Sequence, residues 1–350
     1  MLAAIPFPTW IGPEIIPGLK LFRWYGLMYV IAFGLAYALF KWETRKRLKE
    51  FDPDTAMSFF GWALSGLIIG ARVFGTLVYD RTGIYWTKPW LIFWPFGQGC
   101  QFTGLMGMSY HGGVIGCIIG AAIYARIKKL DLIAWSDVIV PGIPFAYTFG
   151  RIGNFINGEL YGRVTAAPWG MIFPGAEKFS AKESWVIPMA QETGVRVASK
   201  VSEVNLPRHP SQLYEALFEG IVLGLILWFI VRKTKPFRGV MLGAYLVGYG
   251  FVRFILEYFR EPDRDIGYVI NLTGDPGLPI HRYTSPWAFS MGQIFCFLMI
   301  AGGVAWLVVM ARKAREARPA SIEEASAQKA EKTPSEQRSS NARKLRRRLK

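Results

Sequence analysis

FGRIGNFINGELYGR, residues 149–163, follows directly on DVIVPGIPFAYT, residues 137–148, and the junction of the two decides how the chain is read. The first stretch is apolar enough to lie in lipid. The second brings in a guanidinium at Arg151, amides at Asn154 and Asn157 and a carboxylate at Glu159 where the chain still reads as membrane. An ionisable group at that depth is expensive, so it is a functional candidate unless it reaches the interface. Snorkelling to the water boundary explains one arginine. It explains less well two Asn, a Glu and the glycines Gly150, Gly153, Gly158 and Gly162 within the same fifteen residues.

Outward from this junction, apolar runs of about 17–23 residues recur, the length a helix needs to cross a hydrocarbon core. Seven are placed, near 24–41, 56–79, 111–127, 133–152, 212–231, 240–259 and 287–310. Lipid leaves no partner for unpaired backbone groups, so these are helices, and the alternation of a membrane β-barrel is absent. The expected fold is therefore an all-α integral membrane protein. The N-terminal MLAAIPFPTWIGPEIIPG has no basic start and is broken by prolines. It is expected to stay on the chain as a short segment at the membrane surface rather than act as a signal peptide.

The formal charge of +16 on 350 residues is concentrated after the odd-numbered helices. Lys41, Arg45, Lys46, Arg47 and Lys49 follow the first, and Arg126, Lys128 and Lys129 the third. Arg232, Lys233, Lys235 and Arg238 follow the fifth, and Arg312, Lys313 and Arg315 the seventh. The positive-inside rule then puts the N-terminus outside (periplasmic) and the C-terminus in the cytoplasm. A membrane catalytic domain, 1–312, carries a folded outer-side insertion at about 160–208. The segment 313–350 is a basic cytoplasmic tail, expected to be disordered from about 315. Its RKLRRRLK end suits anionic lipid or RNA chemically, but a solvated, topology-setting tail explains it more simply. No nucleic-acid partner is expected.

Cys100, Cys117 and Cys296 have no disulfide or metal spacing; the two in helices read as small packing residues. Gly112, Gly116 and Gly120 make a small-residue face for close helix packing. Beside them His111, at the outer end of its helix, suits either a structural hydrogen bond or proton exchange. Tyr249, Arg253, Glu257 and Arg260, spaced four, four and three apart, form one stripe with an excess of one arginine, which invites an anion such as a lipid phosphate. Arg23, Trp24, Tyr25 and Gly26 open the first helix, where the aromatics suit interface anchors, and Arg72 adds a further intramembrane cation. His209 in RHPSQ reads as a structural lead-in, with Ser211 capping the fifth helix. No nucleophile elbow, phosphate-binding loop or metal-ligand spacing is present. Phosphate binding with proton transfer fits best, as in a transferase that uses a phospholipid donor. A transporter of anionic lipid and a non-catalytic scaffold are the competing classes. No internal repeat supports the first, and the second leaves the His and Arg residues unexplained.

GRIGNFINGELYG (150–162) resembles the signature segment of the prolipoprotein diacylglyceryl transferase family. YHGGVIG (110–116), RWYGLMY (23–29), RHPSQLYEALFEG (208–220) and YGFVRFILEYFREPD (249–263) resemble further blocks of that family, in the family's order. The resemblance covers about 1–312; the long basic tail departs from it. It implies transfer of the sn-1,2-diacylglyceryl group of phosphatidylglycerol to the lipobox cysteine thiol of a prolipoprotein. A thioether forms and glycerol 1-phosphate leaves. The implied setting is the bacterial inner membrane, with the active site toward the outer side and no cofactor or metal. His111, Arg151 and Arg253 match the positions expected to be catalytic. Arg151 again, with Asn154, Glu159, Tyr25, Gly162, Tyr249, Glu257 and Arg260, matches those expected to hold the lipid. Whether the histidine or an arginine-centred field activates the thiol stays open.

Overall fold

The computed structural model describes residues 4–8, 10, 12–16, 23–45, 52–80, 82–96, 107–198, 201–234, 236–262, 266–275 and 277–331, with side chains through 317. Cys100, Lys46, Arg47, Lys49, Lys235 and the RKLRRRLK end lie outside these residues. Among the described residues six helices are long and apolar enough to cross a membrane. They are α1 (Trp24–Arg45), α2 (Pro53–Val78), α3 (Tyr110–Ile127), α4 (Leu132–Ile156), α5 (Ser211–Thr234) and, after a shorter apolar α6 (Val240–Leu256), α7, whose apolar part is Met291–Ala317. The chain is thus a multi-pass, mostly helical membrane protein.

Local chemistry sets the helix starts. Asp52 accepts from the backbone N–H of Thr55 at 2.9 Å, ahead of Pro53 in the first turn of α2. Ser109 does the same for Gly112 at 3.2 Å in α3. Ser290 and Gln293 exchange reciprocal bonds at the start of α7, at 3.0 and 3.3 Å. α6 begins at Gly239 in the left-handed region (φ 79°), and the carboxylate of Asp137 on α4 accepts from the N–H groups of Gly239 and Met241 at 2.8 and 3.0 Å.

The glycines expected to pack do so. A Cβ added at Gly116 of α3 would stand 2.1 Å from the carbonyl oxygen of Gly66 on α2, and one at Gly70 would stand 2.4 Å from that of Gly112. α4 is broken by a tight turn at Val140–Gly142, where Pro141 and Pro144 remove helix donors. α5 contains two π-helical stretches, Ala216–Val222 and Ile226–Val231. It lies so close to α4 that a Cβ at Gly220 would meet Thr148 Oγ1 at 2.0 Å, and one at Gly224 the Phe145 ring at 2.9 Å.

Three expectations change. The helix carrying Arg253 ends at Leu256, so α6 has 17 residues, about 26 Å, and Glu257 and Arg260 lie at and beyond its C-terminus. α7 runs on to Glu331, into the segment expected to be disordered from about 315, because that segment is rich in the strong helix formers Ala, Glu, Lys and Arg. Ser211 does not cap α5: its hydroxyl donates to the carbonyl of Leu160 at 3.1 Å, and the first turn has no side-chain cap.

The insertion is folded. β3 (Phe179–Ser180) pairs antiparallel with β4 (Glu203–Val204), and the helix Val186–Glu192 closes a core of Val164, Phe179, Val186, Ala190, Val204 and Leu206. The N-terminal segment joins it: β1 (Ile5–Pro6) pairs with β2 (Met171–Ile172), and Phe7 packs on Phe155 and Phe173. A further pair, β5 (Tyr268–Asn271) with β6 (Ala288–Ser290), leads into α7. Gly162 and Val164 bond to the carbonyls of His209 and His281, both at 2.8 Å, which ties the insertion to the chain entering α5 and the chain leading to α7.

Candidate active site

Arg151 on α4 and Arg253 on α6 come together at two carboxylates from α5. Arg151 Nε lies 2.7 Å from Glu215 Oε2, and Arg253 Nη1 lies 3.0 Å from Glu215 Oε1. Arg253 Nη1 also lies 3.5 Å from Glu219, and its Nη2 lies 2.9 Å from Glu257. Arg260 reaches the same Glu215 oxygen at 3.6 Å. The close passage of α5 over Thr148 makes this convergence possible, because Glu215 and Glu219 flank the side of α5 that Gly220 lets approach α4.

Tyr147, one turn before Arg151, completes the cluster. It accepts from Arg151 Nε at 2.6 Å, stacks under that guanidinium at 4.8 Å and hydrogen-bonds Glu219. Tyr249 packs edge-on against Tyr147 at 6.0 Å and lies 5.7 Å from Tyr245. The excess of arginine expected from the α6 stripe is therefore offset: Glu215 and Glu219 join Glu257 opposite Arg151, Arg253 and Arg260. Buried charges need such partners, since each costs several kcal/mol to desolvate alone.

The turn leaving α4 builds the second half of the site. Gly158 (φ 66°) and, unusually for a branched residue, Leu160 (φ 57°) are in the left-handed region and fold Glu159 back over the helix end. Glu159 Oε1 accepts from Asn154 at 3.0 Å and Asn157 at 3.4 Å, and Asn154 Oδ1 accepts from Arg151 Nη1 at 3.4 Å. The RHPSQ lead-in clamps the turn from outside, with Gln212 donating to the carbonyl of Glu159 at 2.6 Å. Tyr25 of α1 stands beside Asn154 and Glu159 and bonds Tyr29 at 2.9 Å, so it is more than an interface anchor. Glu257 is held from its far side by Ser290 at 3.0 Å. Gly162 admits no side chain, since a Cβ there would meet the carbonyl oxygen of Phe259 at 2.2 Å.

His111 lies apart from this network. Its Nδ1 is 3.1 Å from the hydroxyl of Tyr79, and its ring packs near Tyr110 and Phe295. Among the described residues no hydrogen bond joins it to the arginines. Its neighbour Tyr110 is the residue within electrostatic reach of Arg151, Glu219 and Arg253. Arg72 donates to the carbonyls of Ile92 and Leu91 and so anchors the loop 84–93. His209 is structural: it bonds Tyr214 at 3.1 Å and packs on Phe259, while burial, then the charge of Arg163, push it down to about 4. Arg163, which donates to the carbonyl of Arg260 at 2.7 Å, is held below its usual value by burial. Among the described residues no group of three or more His, Cys, Asp or Glu is placed to hold a metal ion.

Fold and cluster together define a class: a polytopic helical membrane enzyme whose guanidinium and carboxylate groups converge inside the helix bundle. The family model of prolipoprotein diacylglyceryl transferase matches residues 15–309, and the chain belongs to that family. It is 49% identical over 315 residues to the phosphatidylglycerol–prolipoprotein diacylglyceryl transferase of Treponema pallidum (strain Nichols), covering 87% of this chain and 94% of the relative. The protein of that name from Treponema denticola is 48% identical over 325 residues, 89% and 95% of the two chains. That from Chlorobaculum tepidum is 41% identical over 325 residues, 89% and 97%.

Proposed function

We propose that this chain transfers the sn-1,2-diacylglyceryl group of phosphatidylglycerol to the lipobox cysteine of a prolipoprotein, at the cluster of Arg151, Arg253 and Arg260. The observation that carries the reading is the pairing of Arg253. Its contacts with Glu215 Oε1 and Glu257 Oε2 are close, yet neither oxygen has an aligned hydrogen-bond donor. Arg253 Nη1 donates to Glu219 at 3.5 Å, and with 14% of its side chain exposed the neutralised guanidinium keeps surface that suits a phosphodiester.

The cysteine sulfur attacks the glyceryl carbon that bears the phosphate ester. The C–O bond breaks, its electrons leave with the phosphate oxygen, and the S–C thioether forms as glycerol 1-phosphate departs. Arg151 and Arg253 neutralise the charge that grows on that oxygen. Asn154 and Glu159 orient Arg151 and the headgroup. Tyr25, Tyr249, Glu257 and Arg260 line or brace the lipid phosphate, and Gly162 permits the close backbone contact that sets Arg260. A free thiol titrates near ~8.5, so the reaction needs a proton acceptor or a cationic field. His111, with Tyr79 on Nδ1, is the candidate acceptor through Nε2, and the arginine field stabilises the thiolate. The chain sits in the bacterial inner membrane with its N-terminus and this site toward the outer side, a reading supported by the basic residues after the odd-numbered helices.

The test uses purified protein, phosphatidylglycerol and a signal peptide with a lipobox cysteine. A mass gain of one diacylglyceryl unit, lost when that cysteine is serine, is expected. Lipid binding without peptide modification would instead make the cluster a binding or transport site. Substantial turnover by His111→Gln would remove the histidine as an obligatory base.

A further inference from the structure

Two carboxyls, Glu215 and Glu219, stand one turn apart on α5, with 1% and 0% of their side chains exposed. Burial and helix are shared; surroundings are not. Glu215 lies 2.7 Å from Arg151 and 3.0 Å from Arg253, and it reaches Arg260 at 3.6 Å. Among the described residues it alone touches all three guanidinium groups, which come from α4, from α6 and from the segment after α6. Glu219 meets one arginine, at 3.5 Å, and its other oxygen hydrogen-bonds the hydroxyl of Tyr147.

Three like charges at a common point in a low-dielectric interior repel strongly. A single anion between them holds them at a fixed separation; a neutral hydrogen-bond acceptor of the same shape does not.

We propose that Glu215 is a positioning residue whose negative charge presets the spacing of Arg151, Arg253 and Arg260 for the phosphate. This rests on the transferase reading above. Loss of the Glu215 charge leaves the arginines free to meet the lipid phosphate, so ground-state binding survives. They no longer converge on the leaving oxygen, so turnover falls.

The experiment measures kcat and KM for phosphatidylglycerol in the parent, Glu215→Gln and Glu43→Gln, each purified as folded protein. Glu215→Gln is expected to lower kcat about 100-fold or more with KM within about threefold, a loss confined to the transition state. Glu43→Gln, which removes a buried carboxylate paired with Arg232 at 2.6 Å outside the site, is expected to keep both constants within about fivefold. A general burial effect would strike both variants alike, so equal losses overturn the proposal. So does a parental kcat in Glu215→Gln, or a rise in KM alone. If Glu215→Gln cannot be recovered folded, Glu215→Met, neutral and of similar length, takes its place: a lowered kcat at unchanged KM supports the proposal, and a parental kcat overturns it. An inactive parent brings down the transferase reading itself, whereas an active parent with an active Glu215→Gln brings down this proposal alone.

Discussion

Two sets of buried arginines can be compared within the one chain. In the insertion, Arg208 has no exposed surface. It pairs with Glu261, donates to the carbonyl of Glu177 at 3.3 Å and is covered on its faces by Tyr161 and Phe179, at 5.2 and 5.0 Å. In the bundle, Arg151, Arg253 and Arg260 share carboxylates and keep 16%, 14% and 20% of their side chains exposed. The first arrangement spends the guanidinium on the fold. The second holds several guanidinium groups together while leaving surface for another molecule. Burial of charge alone therefore does not mark a site; on the proposed reading, pairing shared between helices that leaves guanidinium surface exposed does.

Substitutions sharpen this contrast. Arg253→Ala should lower kcat/KM by about 10³ or more, because it removes charge stabilisation from the leaving phosphate, while the protein still inserts, at some cost in stability because buried Glu219 and Glu257 lose their arginine. Retained activity would place Arg253 with Arg208 among structural residues. Arg208→Ala should do the opposite, costing about 3–5 kcal/mol of stability by removing a fully buried guanidinium from its pairing with Glu261 and its packing on Tyr161 and Phe179, read as a lowered unfolding temperature and early proteolysis within 160–208. A variant of normal stability would mean that the insertion does not depend on this pair.

Acidity distinguishes the regions as well. His209 titrates at about 4 in the fold, below the ordinary histidine value of about 6.5. Between these values the unfolded chain binds a proton that the folded chain refuses. Stability is therefore full above pH 6.5 and lost as pH falls toward 4, by at most about 3 kcal/mol. Unfolding followed across that range should show the loss, and a variant without the histidine, His209→Phe, should show less of it. The smallest effect expected is that of Gly162→Ala. The added methyl must displace both the backbone at Phe259 and His209, at a cost of about 2–3 kcal/mol and with a modest fall in activity through Arg260. Unchanged stability there would show that this backbone contact can relax.

Much of this was legible from the chain before its fold was known. Arg151 and Arg253 stand out because a guanidinium in an apolar run has no water to face, and the α3 glycines Gly112, Gly116 and Gly120 because they recur every fourth residue. Glu215 and Glu219 were not singled out, although their signal was present. They are two carboxyls one turn apart in an apolar helix, with no Lys or Arg between Arg208 and Arg232 to pair with them, so their partners had to lie on other helices. Ser211 misled because a serine before an apolar run usually caps it, whereas here the left-handed turn at Leu160 offered a carbonyl instead. The early end of α6 and the π-helical stretches of α5 depend on packing against neighbours, which single-chain periodicity does not carry.

The most direct measurement is the stoichiometry of a single turnover. Phosphatidylglycerol labelled in its headgroup is mixed with excess enzyme and lipobox peptide, and released glycerol phosphate is counted against alkylated peptide, for the parent and for Arg151→Ala. The account predicts one release per thioether in the parent and neither product in the variant. A folded Arg151→Ala protein that forms both at the parental rate would contradict it.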